Sequence, residues 1–242
     1  NLDGVSDQTV SVTTTDDDVA GFTIVESDGT TSVDETGTTD TFTVVLDAEP
    51  ASDVVLTVTS SDPGEATVTS TLTFTSANWD TAQTVTVTGV DDNLVDGSIS
   101  STITIAIDDG NSDDDFDAVA NQTVSVTTTD DDVAGFTIVE SDGSTEVAES
   151  GTTDTVTVVL DAQPTSDVVI SISSEDAGEA TTTGTLTFSP LNWDTPQTIT
   201  ITGVDDDIID GSINSNTVIA VIDEISDDSF DAVADQTVSA TT

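Results

Sequence analysis

The sequence predicts an all-β protein made of tandem β-sandwiches, and three observations lead to this prediction. Apolar and polar residues alternate in many short segments, as in residues 84–88, where Thr and Val take turns. Thr, Val and Ile, which favour strands, are frequent, and no segment of about ten residues has a helical period. The chain also repeats itself after 114 residues, which is the size of an ordinary sandwich domain.

The repeat defines the domain organisation. Residues 8–26 recur unchanged at 122–140, and 88 of the 128 positions aligned at this offset are identical. We predict a first sandwich at 19–132 and a second at 133–242. Residues 1–18 then correspond to the final strand and junction of a preceding repeat. Because the connection contains no Gly/Ser-rich or Pro-rich linker, we expect limited freedom between the two units.

Seven antiparallel strands are predicted for each unit, since seven alternating segments are separated by turn-forming residues. In the first unit these segments are 21–25, 41–47, 54–59, 71–75, 84–89, 102–107 and 123–128. In the second unit they are 135–139, 155–161, 168–173, 185–189, 198–203, 217–222 and 237–242. The apolar face of each strand should form the core, and the Thr face should meet water.

Charge excludes several classes of function. The chain has 49 acidic residues, no Lys, Arg, His or Cys, and a formal net charge of −49. We expect no nucleic-acid partner, because no basic side chain is present to neutralise phosphates. We expect no direct membrane insertion, because no run of about 18 apolar residues exists. We also expect no enzymatic activity, because most nucleophiles and general bases that work near neutral pH are missing.

Carboxylates gather in predicted loops, at equivalent positions of the two units and at the Asp130-Asp131-Asp132 junction. Several of these loops should lie at the same end of the sandwich, where like charges repel each other. Ca²⁺ takes six to eight oxygen ligands and is the expected counter-charge, whereas Mg²⁺ loses its water reluctantly. A solvated acidic surface is the alternative. For the cluster at 108–109 and 113–115, which recurs incompletely, a solvated loop is an equally good interpretation.

The junction and its flanking segments resemble a known family. The sequence Asp-Asp-Asp-Val-Ala-Gly-Phe-Thr-Ile at 16–24 and 130–138 is similar to the start of a Calx-beta domain, as is the acidic segment 33–37. Residues 72–92 resemble the Calx-beta-like, cadherin-like tandem repeats of large bacterial surface adhesins of the RTX type. The resemblance covers essentially the whole chain, and its motifs occur in the same order in both units.

The resemblance implies a seven-stranded sandwich that binds Ca²⁺ at one end, beside the domain junction. The implied ligands of the first unit are Glu35, Glu65, Asp91, Asp92, Asp96, Asp130, Asp131 and Asp132. Those of the second unit are Glu149, Glu179, Asp205, Asp206 and Asp210. The triplet at 16–18 would complete a site of a preceding unit.

The predicted function is structural. We expect extender repeats of a long extracellular adhesin or surface filament, in which Ca²⁺ at the junctions stiffens the rod and the partners are neighbouring repeats or identical subunits. One alternative is an adhesive module with a glycan or cell-surface partner, although Trp79 and Trp193 are expected to pack against the core. Another is a head-to-tail fibre in which residues 1–15 donate a strand to another molecule.

Overall fold

The computed structural model describes Ser6 and residues 8–209 and 211–242, and these form two β-sandwiches of the same topology. The strands of the first are β1 (Phe22–Glu26), β2 (Thr31–Asp34), β3 (Thr39–Leu46), β4 (Val54–Ser60), β5 (Ala66–Val68), β6 (Thr71–Phe74), β7 (Gln83–Gly89), β8 (Ile99–Ile107) and β9 (Gln122–Thr129). Those of the second are β10 (Phe136–Glu140), β11 (Thr145–Glu146), β12 (Thr153–Leu160), β13 (Val168–Ser174), β14 (Ala180–Thr182), β15 (Thr185–Phe188), β16 (Gln197–Gly203), β17 (Asn214–Val221) and β18 (Gln236–Thr241).

Each unit consists of two packed sheets. In the first unit, one sheet has the order β1-β3-β7-β5 and the other the order β2-β9-β8-β4-β6. The second unit repeats this arrangement with β10-β12-β16-β14 and β11-β18-β17-β13-β15. The predicted all-β sandwich fold is therefore confirmed. Within the described part of the chain, no helix is long and apolar enough to cross a membrane.

The prediction of seven antiparallel strands per unit is wrong in two details. Among the residues that the structure describes, each unit has nine strands, because β2 and β5, with their counterparts β11 and β14, are additional. These strands have two to four residues, too few to display a period of two in the sequence. Moreover, β2 pairs in parallel with β9, and β11 with β18. Such long-range parallel pairs have no local turn signal in the sequence.

The cores follow the predicted alternation. In β7, Val85 and Val87 are fully buried, and both belong to the first core together with residues from the opposite sheet, such as Ile103 and Val126. Trp79 and Trp193 are partly buried and pack against the first and second cores, respectively. This confirms that the tryptophans have a packing role, since buried aromatic surface contributes strongly to core stability.

Residues 8–21, which precede β1, contain no strand, and the side chains of residues 8–19 are exposed. Residues 8–15 have the same sequence as 122–129, which form β9 with the help of its neighbours β2 and β8. The predicted strand donation by residues 1–15 falls partly on residues 1–5 and 7, which lie outside the described residues.

The two units contact each other through a docking loop, residues 91–95, which follows β7. The Val95 N–H donates to the Gln163 carbonyl at 3.0 Å, and the Gln163 N–H donates to the Asn93 carbonyl at 2.7 Å. The Ser229 hydroxyl donates to the Val95 carbonyl at 3.1 Å. The Val95 side chain packs against the second core. Three hydrogen bonds and one apolar contact therefore set the position of the loop on the second unit.

Candidate metal centre

Four chain segments of the first unit converge at the end of the sandwich where β9 ends, which we call the distal pole. Glu35 follows β2, and its N–H donates to the Thr129 carbonyl at 3.1 Å. Glu65 precedes β5, and its carbonyl accepts from the Val90 N–H at 2.9 Å. Asp92 and Asp96 lie between β7 and β8, and residues 130–132 follow β9. The sheet topology thus brings together acidic residues that are up to 97 positions apart in the sequence.

Two groups of carboxylates at this pole have the spacing of metal ligands. Glu35, Asp92 and Asp132 each offer an oxygen within 4.8 Å of the others, and so do Glu35, Glu65 and Asp96. Two oxygens at about 2.4 Å from one Ca²⁺ ion can lie at most about 4.8 Å apart. Each group is therefore compact enough to coordinate one ion, and Glu35 belongs to both.

Burial makes these carboxylates costly in the absence of a cation. Glu35 is 1% exposed and Glu65 is 7% exposed. One oxygen each of Glu35, Glu65 and Asp96 is buried and accepts no hydrogen bond from the described part of the chain. A buried charge without a partner is strongly unfavourable, and this chain contains no Lys or Arg to supply one. A bound cation would satisfy all three oxygens.

The raised pKa values of the clustered carboxyl groups also indicate a site that favours a cation. Burial, followed by the charges of Asp130 and Asp92, raises the pKa of Glu35 to about 7. Burial and the charge of Asp96 raise the pKa of Glu65. The pKa of Asp96 is raised by burial and by Asp92, and that of Asp132 by burial and by Asp130. The site therefore favours positive charge, which a proton or a metal ion can bring.

Asp130 occupies a different position from its neighbours. Its Oδ2 accepts the N–H groups of Asp96 and Gly97 at 3.1 and 2.7 Å, and its Oδ1 accepts the Asp132 N–H at 2.7 Å. Asp130 therefore holds the 96–97 backbone against the junction, a role that the sequence did not indicate. Asp91 and Asp131 are exposed and lie outside both carboxylate groups.

Gly89 determines how closely the Glu35 segment approaches the rest of the pole. A Cβ atom on Gly89 would lie far inside van der Waals contact with the carbonyl oxygen of Asp34, the residue before Glu35. The Gly89 N–H also donates to the Thr38 carbonyl at 3.0 Å. Only glycine permits this approach. The same relationship recurs between Gly203 and the Ala148 carbonyl in the second unit.

The equivalent residues of the second unit are less closely grouped. Glu179 is 7% exposed, Glu149 and Asp206 are partly buried, and Asp205 is exposed. Asp210 lies outside the described residues. Among the residues that the structure describes, no group of three carboxylates in this unit has the spacing of metal ligands.

The other acidic cluster has a structural role. Asp113 is 6% exposed, and its Oδ2 accepts the Ser52 N–H at 2.7 Å. Its counterpart Asp227 is 3% exposed and accepts from the Ser166 N–H at 2.6 Å and the Thr165 hydroxyl at 2.7 Å. These hydrogen bonds tie the β8–β9 and β17–β18 connections to the β3–β4 and β12–β13 connections. Of the two interpretations that the sequence left open for this cluster, the solvated loop therefore does not hold for Asp113, although its neighbours Asp114 and Asp115 are exposed.

Comparison with known proteins adds little to this site. No family model matches the sequence, and no curated protein matches it. Among solved structures, CBD12 from CALX1.2 is similar at 15% identity and a TM-score of 0.33, over 81% of this chain and 79% of that chain. The calcium binding domain CBD12 of CALX1.1 has the same identity and TM-score, over 82% of this chain and 80% of that chain.

Domains 5-6 of the S-layer protein SbsC are similar at 20% identity and a TM-score of 0.29, over 90% of this chain and 96% of that chain. Similarities of this size assign no function to the chain. Its function must be inferred from its own residues.

Proposed function

We propose that this chain is a pair of Ca²⁺-binding structural repeats from a long extracellular adhesin or surface filament, without an enzymatic role. The observation that supports the proposal best is the group Glu35, Glu65 and Asp96, which has the spacing of metal ligands. Each of the three has one buried oxygen without a hydrogen-bond partner in the described residues, in a chain that has no basic side chain. A solvated acidic surface does not require buried carboxylates. Ca²⁺ suits the site better than Mg²⁺, because it accepts irregular sets of carboxylate oxygens.

The position of the site supports a role in stiffening. Asp92 belongs to the docking loop, two residues before Leu94, which bridges to Gln163 of the second unit. Asp132 lies in the connection between β9 and β10. An ion held by Asp92 and Asp132 would therefore fix both the docking loop and the connection in one arrangement. Metal binding would be coupled to order between the units.

The composition suits an exposed extracellular location. With no Lys or Arg, the chain offers no site to proteases that cleave after basic residues. A high negative charge keeps proteins soluble and separate, and salt screens its self-repulsion. Neighbouring repeats or identical subunits are the proposed partners.

Calorimetric titration with Ca²⁺, together with small-angle scattering with and without EGTA, tests this function. We expect Ca²⁺ binding, a higher melting temperature with Ca²⁺, and a broader range of interdomain distances in EGTA. Glu35→Gln should weaken Ca²⁺ binding about tenfold or more, since ligand charge sets affinity. Glu224→Gln, an exposed residue far from the cluster in sequence, is the matched control. Absence of binding, or scattering and melting temperature unchanged by EGTA, would overturn the proposal.

A further inference from the structure

One side of each sandwich is a surface made of Thr and Val. It is the outer side of the sheet β1-β3-β7-β5 in the first unit and of the sheet β10-β12-β16-β14 in the second. Successive side chains of a strand point to opposite sides of its sheet, so every second residue of these strands faces outward. We call this surface the threonine face. In the first unit it consists of Thr23, Val25, Thr39, Thr41, Thr43, Val45, Thr67, Thr84, Thr86 and Thr88, and none of these residues is buried.

The threonine face is the same in both units. Its ten residues recur at the repeat distance of 114 as Thr137, Val139, Thr153, Thr155, Thr157, Val159, Thr181, Thr198, Thr200 and Thr202. The buried side of the same sheet differs between the units, and the substitutions include Phe42 to Val156, Val85 to Ile199, and Val87 to Ile201. Exposed positions ordinarily tolerate substitution better than core positions do. A face that is unchanged over a changed core therefore indicates a constraint other than folding.

The opposite outer side of the sandwich provides a comparison. It belongs to the sheet β2-β9-β8-β4-β6, and its inner strands β4 and β8 also present Thr and Ser to solvent. Five of the seven outward residues of these two strands differ between the units, and the substitutions are Thr57 to Ser171, Thr59 to Ser173, Ser100 to Asn214, Thr102 to Asn216, and Thr104 to Val218. Strand propensity acts on both outer sides, so it does not explain why one of them is unchanged.

The threonine hydroxyls at the centre of the face are available to a partner. The outward threonines of β3 stand directly opposite those of β7, in the pairs Thr39–Thr88, Thr41–Thr86 and Thr43–Thr84. The Thr43 hydroxyl donates to the Val25 carbonyl at 3.4 Å. The other five hydroxyls make no hydrogen bond within the part of the chain that the structure describes. Beside this array, Val25 is 57% exposed and its counterpart Val139 is 56% exposed.

The threonine face also contains none of the chain's charge. Six of the 49 acidic residues lie in the described strands, each within two residues of a strand end, and they are Glu26, Asp34, Asp40, Glu140, Glu146 and Asp154. None of them belongs to the threonine face. Two copies of this chain that approached each other through their acidic loops would repel. The threonine face is a surface through which they can meet without bringing carboxylates into contact.

From the identity, the free hydroxyls and the neutrality of this surface, we infer that copies of the chain associate side by side through their threonine faces. A Thr hydroxyl both donates and accepts hydrogen bonds, so two identical faces can satisfy each other. Identical spacings also let the β-branched side chains interdigitate, as they do between sheets that pack about 10 Å apart. The same patch on both copies makes the contact self-complementary. A charged partner would gain nothing from a face without charge.

A neighbouring repeat in the same chain does not cover the threonine face. The first unit is followed by the second, and the second is preceded by the first, yet the face is accessible in both. The contact between the units uses the docking loop, Gln163 and Ser229, none of which belongs to the face. The inference also does not rest on the proposed function, because no candidate metal ligand lies on the threonine face.

Sedimentation velocity of the 242-residue protein tests the inference, at concentrations up to about 1 mM, where weak association is populated. About 1 M NaCl should promote the contact, because it screens the repulsion between acidic loops beyond about 3 Å. We expect association that increases with protein and salt concentration, and that occurs in EGTA as well as in Ca²⁺.

A matched pair of double variants locates the contact. Thr84→Asp with Thr198→Asp places one carboxylate on the threonine face of each unit, and association should weaken about tenfold or more, because an unpaired charge is costly to bury. Thr123→Asp with Thr237→Asp adds the same two charges at exposed positions of β9 and β18, on the opposite outer side, and should change association little. Melting temperatures of both variants show that each remains folded.

A protein that stayed monomeric under all these conditions would overturn the inference, and so would equal weakening by the two double variants. Binding of a neutral polysaccharide to the monomer, prevented only by Thr84→Asp with Thr198→Asp, would assign the face to a glycan instead. If the monomer still bound Ca²⁺ by calorimetry, the proposed function would stand. Association without any Ca²⁺ binding would leave only the side-by-side contact.

Discussion

Thr217 occupies the place in the second sandwich that Ile103 fills in the first, and both side chains are fully buried. The Thr217 hydroxyl has no hydrogen-bond partner in the described part of the chain. A buried hydroxyl without a partner lowers stability by about 1–3 kcal/mol. At this position the second core therefore contains a polar group where the first core has an apolar one.

Thr217→Val should stabilise the second unit, because it removes the hydroxyl and preserves the shape of the side chain. We expect a gain of about 1 kcal/mol and an increase in melting temperature of about 2–4 °C in calorimetry. Thr237→Val, at an exposed position of β18, is the control and should change the melting temperature little. A destabilised Thr217→Val protein would contradict the assignment of a defect.

Glu35 should make the metal-free first unit sensitive to pH. Its pKa is raised from 4.5 to about 7 in the folded state, so folding favours the protonated form. The associated stability is fully present below about pH 4.5 and is lost as the pH rises to about 7, by up to about 3 kcal/mol. Calorimetry in EDTA from pH 5 to pH 8 should show a falling melting temperature. In Glu35→Gln the melting temperature should depend less on pH. If the variant showed the same pH dependence as the wild-type protein, Glu35 would not be its source.

Asp227 should affect the pH dependence of stability in the opposite direction to Glu35, because its pKa is lowered in the folded state. Burial alone would raise its pKa, but hydrogen bonds from Thr165, Ser229 and Ser166 outweigh burial and lower the pKa to about 2. Its contribution to stability is present above the ordinary carboxyl pKa and is lost as the pH falls from about 4 to about 2. In urea denaturation at pH 7, Asp227→Asn should therefore cost about 2 kcal/mol. Asp228→Asn, its exposed neighbour, should cost much less, and equal losses would refute the role of Asp227.

Gly89→Ala should damage the metal centre through the backbone. The new methyl group would push Asp34 and Glu35 away from β7, at a cost of about 1–3 kcal/mol in unfolding free energy. Ca²⁺ binding measured by calorimetry should weaken as well. Gly184→Ala adds a methyl group where no atom lies within 4 Å, and it should leave both quantities nearly unchanged. If Gly89→Ala bound Ca²⁺ with unaltered affinity, the close approach of the Asp34 backbone to Gly89 would not be needed for metal binding.

The sequence alone was sufficient for the long strands and the location of the acidic loops. Val85 and Val87 alternate with Thr along β7, and this pattern depends only on local geometry. The sequence alone was insufficient where the formation of a strand depends on its register with strands that are distant in the chain. β5 is three residues long, and its pairing with β7 has no local signature.

The roles of individual carboxylates show the same limit. Asp130 accepts backbone N–H groups, and Asp132 offers an oxygen to the cluster, yet the two are near neighbours in one triplet. Which of them faces the cluster depends on where β9 ends relative to the β7–β8 connection. Burial of Asp113 and Asp227 likewise depends on a distant loop that supplies N–H donors.

The parallel pairing of β2 with β9 has a mechanical consequence. β9 lies between β2 and β8, with four paired residues on one side and seven on the other. Tension that pulls the two ends of the unit apart acts along β9. The hydrogen bonds that join β9 to β2 and β8 are then loaded in shear and all at the same time. They do not open one after another from one end of the strand. A strand held in this way is suited to transmit force from one repeat to the next.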